Sequence, residues 1–346
     1  MRKRRFLLPL LTFLFLPGMT FSQQESSATT AKRATPDAAK PAPEAPAASE
    51  KWSALNDIKT GLQPRAPMVV ATDHGPEFTR ELVRMQWRMS DPIDVWIMRP
   101  KTHDRVPVIL YVYSYPNDPD QFRNDGWCTR ATAGGFAAVG FTSALTGQRY
   151  RFRPMKQWFV SELQESLGSS VHDVQLILNY LATRPDLDVE HVGIFGMGSG
   201  GTIALLAAQA DPRIKTVDAL DPWGDWPDWL RESPAIPADE RPKYMTQAFL
   251  KLVAPVDPVI YMPYLKTPCI RLEQTLTDPV TPKAVQERIA HASRSPQEVV
   301  KYANPEEHRK AWQTDGLSGW IKQQLRAQLQ EEHKDNHNAG LNSYSR

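Results

Sequence analysis

The chain has 346 residues, with 41 Lys or Arg against 39 Asp or Glu, so its formal net charge is +2. This balance, and the lack of a basic stripe with interleaved aromatic residues, argue against a nucleic-acid-binding protein. The length is sufficient for one large domain with a substantial core.

The N-terminus has the pattern of a secretory leader. Residues 2–5 are basic, residues 6–16 form a short apolar core, and small residues, Thr20 and Ser22, precede Gln23. We predict a signal peptide over residues 1–22 that is cleaved on export to the periplasm or the extracellular space. The apolar run is too short for a comfortable membrane span, so we expect no stable membrane insertion after cleavage, and a retained anchor is the alternative. Removal of the leader leaves 37 basic against 39 acidic residues, a net charge of −2.

Composition divides the rest of the chain into three parts. Residues 23–50 contain no aromatic residue and no Val, Ile or Leu, which predicts a disordered Ala/Pro-rich linker. Residues 51–328 form the predicted folded domain, and residues 329–346 a polar tail that frays. The two cysteines, Cys128 and Cys269, are far apart in sequence, and two free thiols are the simpler expectation than a disulfide.

Apolar strands and amphipathic helices alternate from residue 105 onward, which indicates βαβ units and a mostly parallel sheet. In chain order, strands are predicted at residues 82–87, 93–98, 106–113, 136–141, 191–195, 215–220, 268–272 and 298–302. The first two are expected to pair as an antiparallel start to the sheet. Apolar residues at helical spacing predict a helix over residues 170–183, and a second helix follows the strand at 191–195. The predicted class is α/β, with helices on both faces of the sheet.

The alternation breaks down over residues 222–264, where we predict a small cap above the carboxyl edge of the sheet. This stretch begins with a segment dense in Trp and Pro. Trp223 and Trp226 are candidates for an aromatic wall of a substrate pocket. The alternative is that these rings pin the cap onto the sheet, since large aromatic residues mostly serve packing.

The most informative motif is the glycine-rich turn at residues 196–201, which follows an apolar strand and precedes a small-residue helix. A G-x-S-x-G nucleophile turn occurs in this strand–turn–helix setting in serine hydrolases. Aligned on Gly196 and Gly200, the central position is Gly198, and Ser199 comes one residue late.

The layout resembles the α/β-hydrolase family, particularly its dienelactone-hydrolase and prolyl-peptidase-like members, over roughly residues 80–325. The resemblance implies an α/β-hydrolase fold and a catalytic acid in the loop after the penultimate strand. It also implies a catalytic histidine after the last strand. Asp278, in the loop T-D-P-V-T-P, takes the place of the acid, and His308 takes that of the histidine. In that arrangement the carboxylate orients the imidazole, which activates a hydroxyl nucleophile.

Three interpretations of the turn are open. In the first, the turn slips by one residue and Ser199 is the nucleophile, although Met197 then crowds the turn. In the second, Gly198 keeps the central position and Ser199 opens the helix, with its backbone N–H in the oxyanion position and no nucleophile present. In the third, Gly198 leaves room for a water molecule that His308 activates directly.

The oxyanion hole also departs from the family pattern. The family usually has His-Gly after the first parallel strand, whereas this chain has Tyr113-Ser-Tyr115-Pro. A tyrosine hydroxyl is able to serve as an oxyanion donor. The alternative is that Tyr113 belongs to the core and Tyr115 shapes the loop.

Two functions follow from these observations. The first is an exported ester- or peptide-hydrolase-like protein with impaired or atypical serine-hydrolase activity, acting through Ser199, Asp278 and His308. The second is a non-catalytic protein that binds a ligand or a protein through the pocket that would hold the substrate in an active hydrolase. We expect a small-molecule ester, peptide or ligand as partner and no cofactor. His and Cys spacing offers no metal site, and no phosphate-binding loop is complete.

Overall fold

The computed structural model describes residues 65–88, 91–102, 104–113, 119–145, 149, 159–293 and 297–343. The predicted leader over residues 1–22 and linker over residues 23–50 lie outside them, so both stay predictions.

One sheet contains the nine strands of the described residues. They are β1 (Arg65–His74), β2 (Phe78–Arg88), β3 (Asp91–Pro100), β4 (Val106–Val112), β5 (Ala137–Phe141), β6 (Leu187–Met197), β7 (Ile214–Leu220), β8 (Cys269–Thr275) and β9 (Gln297–Tyr302). Their spatial order is β1-β2-β3-β5-β4-β6-β7-β8-β9. The pairs β1–β2, β2–β3 and β3–β5 are antiparallel. The five remaining pairs, β5–β4, β4–β6, β6–β7, β7–β8 and β8–β9, are parallel.

Ten α-helices are described in the same residues. They are α1 (Asp125–Thr132), α2 (Leu163–Leu181), α3 (Ser199–Ala210), α4 (Trp226–Glu232), α5 (Arg241–Tyr244), α6 (Gln247–Val253), α7 (Pro258–Tyr261), α8 (Lys283–Ala292), α9 (Pro305–Asp315) and α10 (Gly319–Ser343).

Burial on both faces explains why the central strands are apolar throughout. Every residue of β4 and β5 is buried, as expected for strands covered by helices on two sides. One core cluster contains side chains of α2, α3 and α8, and a second contains those of α1 and α10. The predicted α/β class, with helices on both faces of a mostly parallel sheet, is confirmed.

The predicted antiparallel start of the sheet is also confirmed, since Leu82 lies opposite Trp96 in the β2–β3 pair. Sequence patterning did not reveal β1. All ten of its residues are exposed, so it has no buried face to impose an alternating pattern.

The segment between β7 and β8 contains four short helices, α4 to α7, where the cap was expected. The helix α10 continues to Ser343, and fraying of the tail over residues 329–346 stays a prediction. Ile321 and Leu325 are fully buried near its start, and residues 326–334 are mostly strong helix formers. No helix within the described residues has both the length and the apolar character needed to cross a membrane.

Candidate functional site

The turn between β6 and α3 is centred on Gly198. Its backbone has φ +55° and ψ −121°, a conformation that L side chains adopt only under strain. The Gly198 N–H donates to the Leu220 carbonyl at 2.8 Å, and its carbonyl accepts from the Thr202 N–H at 3.1 Å. Ser199 is the first residue of α3 and is fully buried.

Close backbone contacts fix this register of the turn. A Cβ added to Gly196 would lie 2.2 Å from the Gly200 carbonyl oxygen, and one added to Gly200 would lie 2.1 Å from the Val112 carbonyl oxygen. Only glycine fits at these two positions, which stand two residues before and two residues after Gly198. A turn centred on Ser199 would place the Met197 side chain at the first of these tight positions.

His308 lies in the first turn of α9 and reaches the carboxyl edge of the sheet. Asn304 caps this helix by accepting from the N–H groups of Glu306 and Glu307, both at 3.0 Å. The His308 ring contacts Tyr302, with 5.1 Å between centroids, and its side chain is 13% exposed. Burial lowers the pKa of His308 below the usual value, so the imidazole is neutral near neutral pH.

The carboxylate of Asp278, the predicted catalytic acid, accepts hydrogen bonds from its own loop. Its Oδ2 atom accepts from the N–H of Val280 at 3.0 Å and from that of Thr281. Burial raises the pKa of Asp278. Within the described residues, no hydrogen bond or ion pair joins Asp278 to His308. The carboxylate found beside the imidazole is that of Glu273, with 3.6 Å between Glu273 Oε2 and His308 Nε2.

Glu273 belongs to a buried charged cluster that spans three neighbouring strands. Arg271 donates from Nε to Asp218 Oδ1 at 3.0 Å and from Nη2 to Asp218 Oδ2 at 2.6 Å, and it lies 3.3 Å from Glu273 Oε1. The Tyr302 hydroxyl donates to Glu273 Oε2 at 2.6 Å. Burial, with the Glu273 carboxylate close by, raises the pKa of Asp218, because one guanidinium faces two carboxylates.

Sequence reasoning missed this cluster, although a signal for it was present. Asp218 and Arg271 both lie inside apolar stretches that were predicted to be buried strands of the same sheet. A buried charge requires a partner, so two opposite charges in such strands indicate an ion pair across the strands.

Asp221, directly after β7, holds the loops around the site together. It has φ +44°, and its Oδ1 atom accepts from the Thr275 N–H at 2.7 Å and from Gln286 Nε2 at 3.0 Å. Burial, with the Asp278 carboxylate close by, raises the pKa of Asp221 to about 7.

This raised pKa predicts a loss of stability with rising pH. An unfolded Asp titrates near pH ~3.9, so the native state retains a proton at Asp221 that the unfolded state has lost. The stabilisation is complete below that pH and is lost as pH rises to about 7. Asp221 alone is expected to lower the free energy of unfolding by about 1 kcal/mol per pH unit in this window. Asp221→Asn should reduce the slope by this amount, because the amide oxygen keeps both acceptor bonds and Asn tolerates the positive φ. Urea unfolding at several pH values between about 4 and 7 measures this slope, and Asp239→Asn at an exposed position is the control. An unchanged slope in Asp221→Asn contradicts the raised pKa of Asp221.

A cavity of about 540 Å³ lies beside the turn and His308. Its lining residues are Tyr113, Trp127, Arg130, Phe195, Met197, His308, Arg309, Trp312, Gln313, Gly316 and Leu317. Tyr113, a predicted oxyanion donor, is therefore at the cavity, and its buried phenol has a pKa above the usual value. Tyr115 lies outside the described residues.

Trp223 and Trp226 do not line this cavity, in contrast to the predicted aromatic wall. They are 2% and 1% exposed. Trp223 stacks on Trp229 at 5.0 Å between centroids and exchanges hydrogen bonds with Thr202 Oγ1 on α3, at 2.9 and 2.8 Å. The two rings pack against Trp229 within the segment after β7, and the Trp223 backbone ties this segment to α3. Trp127 and Trp312 supply the tryptophans of the cavity wall instead.

Cys128 and Cys269 are free thiols. Within the described part of the chain, no group of three or more His, Cys, Asp or Glu side chains is arranged to hold a metal ion.

Comparison with known proteins places this geometry in a family. The family model for X-Pro dipeptidyl-peptidase (S15 family) matches residues 90–320. A comparison with curated protein sequences gives no match.

Solved structures with the same fold include two esterases. Acetyl xylan esterase 1 from Thermoanaerobacterium sp. is 17% identical, with a TM-score of 0.59 over 73% of this chain and 86% of that chain. Acetyl xylan esterase from Paenibacillus sp. is 17% identical, with a TM-score of 0.61 over 81% of this chain and 96% of that chain. A putative dipeptidyl aminopeptidase IV from Bacteroides ovatus is 16% identical, with a TM-score of 0.56 over 72% of this chain but 36% of that chain. At these identities the likeness establishes the α/β-hydrolase fold.

Proposed function

The chain belongs to the X-Pro dipeptidyl-peptidase family (S15 family), a family of hydrolases, and we propose that it is an exported hydrolase-like protein with glycine at the position of the nucleophile. Its serine-type hydrolysis of esters and peptides is impaired or absent. What the site retains is a cavity that binds a small ligand.

The observation that carries this proposal is the conformation of Gly198. In a nucleophile turn the reactive serine stands at the strained residue between strand and helix, so that its hydroxyl projects from the sheet edge. Here that conformation belongs to Gly198, flanked two residues away on each side by the tight positions Gly196 and Gly200. Ser199 is buried at the start of α3, which supports its role as a helix-start residue.

Hydrolysis of activated esters tests the proposal. A serine-hydrolase site without its nucleophile retains at most about 10³–10⁴-fold acceleration over water, from the oxyanion hole and binding. We expect p-nitrophenyl acetate turnover at or below this level. Ser199→Ala should leave it unchanged, with circular dichroism as the check on folding. A loss of turnover in folded Ser199→Ala contradicts the proposal.

A second candidate function is slow hydrolysis by a water molecule that His308 activates. His308 lines the cavity and is neutral near neutral pH, and both properties favour a general base. In this case the residual turnover is lost in His308→Gln but kept in Ser199→Ala. Equal residual turnover in wild type and His308→Gln leaves ligand binding as the function.

Export is a separate part of the proposal and rests on the leader pattern. The basic residues 2–5, the apolar run 6–16 and the small residue Ser22 support cleavage before Gln23. Mass spectrometry of the protein isolated from its native host should give a mature chain that begins at Gln23. A chain that retains residues 1–22 contradicts export by cleavage.

A further inference from the structure

Two helices present the same pair of residue types to the cavity. On α1 these are Trp127 and Arg130, and on α9 they are Arg309 and Trp312. Residues three apart lie on one helix face, so each helix turns one indole and one guanidinium toward the same space.

The tryptophan rings are held in place by other aromatic rings. Trp312 lies 4.5 Å from the Phe195 ring on β6, between centroids, and Trp127 lies 5.2 Å from the Phe122 ring. Met197 completes the apolar part of the lining. Such a surface is suited to a flat apolar group, because aromatic side chains supply large contact area with little freedom to lose on binding.

The charge of the cavity is positive. Among the described lining residues there are two arginines and no Asp or Glu. Arg309 pairs with Glu306 on its own helix at 3.2 Å. Arg130 is exposed at the edge of the cavity and forms no ion pair with any carboxylate of the described residues, so its guanidinium is available to a ligand.

We propose that this cavity binds a small carboxylate with an aromatic body, whose ring lies between the walls of α1 and α9 and whose carboxylate pairs with Arg130. The proposal rests on the proposed function, because it assigns a ligand class to the binding site retained there. An arginine is suited to this partner, since its planar fork accepts a carboxylate in a bidentate pair.

Two probes of the same shape test the charge. Isothermal titration calorimetry near neutral pH compares 4-phenylbutyrate with its neutral amide, 4-phenylbutanamide. We expect the carboxylate to bind about 3- to 10-fold more tightly, as is typical of a charge pair at the rim of a site. In Arg130→Gln this preference should disappear, while the affinity for the amide stays unchanged. The matched control is Lys310→Gln, which removes an exposed positive charge on α9 outside the lining.

The other outcomes overturn the ligand class. Two of them concern the wild-type protein: equal affinity for the two probes, and no binding of either probe at millimolar concentration. The other two concern the variants: an equal loss of affinity for both probes in Arg130→Gln, and an effect of Lys310→Gln as large as that of Arg130→Gln. None of these changes the expected turnover of Ser199→Ala, so failure of this inference is distinguishable from failure of the proposed function.

Discussion

Arg271→Met is expected to lower the free energy of unfolding by about 3–5 kcal/mol. The substitution leaves the fully buried carboxylates of Asp218 and Glu273 without their guanidinium partner. Without the guanidinium, each carboxyl group either stays charged in the interior at high cost or takes up a proton with its polar atoms unpaired, and methionine restores only the volume. The contact of the guanidinium with the Trp320 ring, at 4.8 Å, is also lost. Urea unfolding at neutral pH measures the change.

Two controls separate charge from packing. Arg84→Met breaks a similar two-contact pair with Asp94 on a half-exposed side chain, and is expected to change the free energy of unfolding by less than about 1 kcal/mol. The triple variant Asp218→Asn, Arg271→Met, Glu273→Gln should recover much of the lost stability, because no unpaired charge remains. If Arg271→Met is as stable as wild type, or the triple variant is less stable than it, the description of the cluster is wrong.

Gly200→Ala is expected to be at least as damaging. The new methyl group would lie 2.1 Å from the Val112 carbonyl oxygen on β4, and backbone atoms cannot move aside as the end of a side chain can. We expect a loss of several kcal/mol, or failure to fold, through displacement of α3 from the sheet.

Gly168→Ala is the matched control for this substitution. Gly168 lies in α2, and a Cβ added there meets no atom within 4 Å. Alanine should therefore stabilise this helix by about 0.5–1 kcal/mol. Thermal unfolding followed by circular dichroism ranks the two variants. Equal melting temperatures for them would contradict the close packing of the turn.

The sequence predicted the parts of the fold that rest on local patterns. The fully buried strands β4 and β5 read as apolar runs, and the glycines at 196 and 200 marked a strand–turn–helix unit. The exposed strand β1 has no such pattern, and sequence patterning missed it. The extent of α10 was not predicted, because the polar residues after position 328 suit a helix and an irregular segment equally.

The site was harder to predict because its contacts join distant parts of the chain. Family order pointed to Asp278, whereas the carboxylate beside His308 is that of Glu273, which lies within β8. The tryptophans Trp223 and Trp226 looked suited to a pocket, but both are buried and pack against the Trp229 ring. Which aromatic residues face a cavity depends on tertiary packing, and local sequence does not contain that information.

Labelling with a fluorophosphonate, followed by peptide mass spectrometry, tests the central claim most directly, since the reagent bonds to an activated serine hydroxyl. The claim that glycine has replaced the nucleophile predicts no adduct on the wild-type protein. Gly198→Ser should form an adduct at residue 198, with His308, which lines the same cavity as Met197, as its base. An adduct on Ser199 of the wild-type protein would contradict the claim, because it would make Ser199 the nucleophile of a displaced turn.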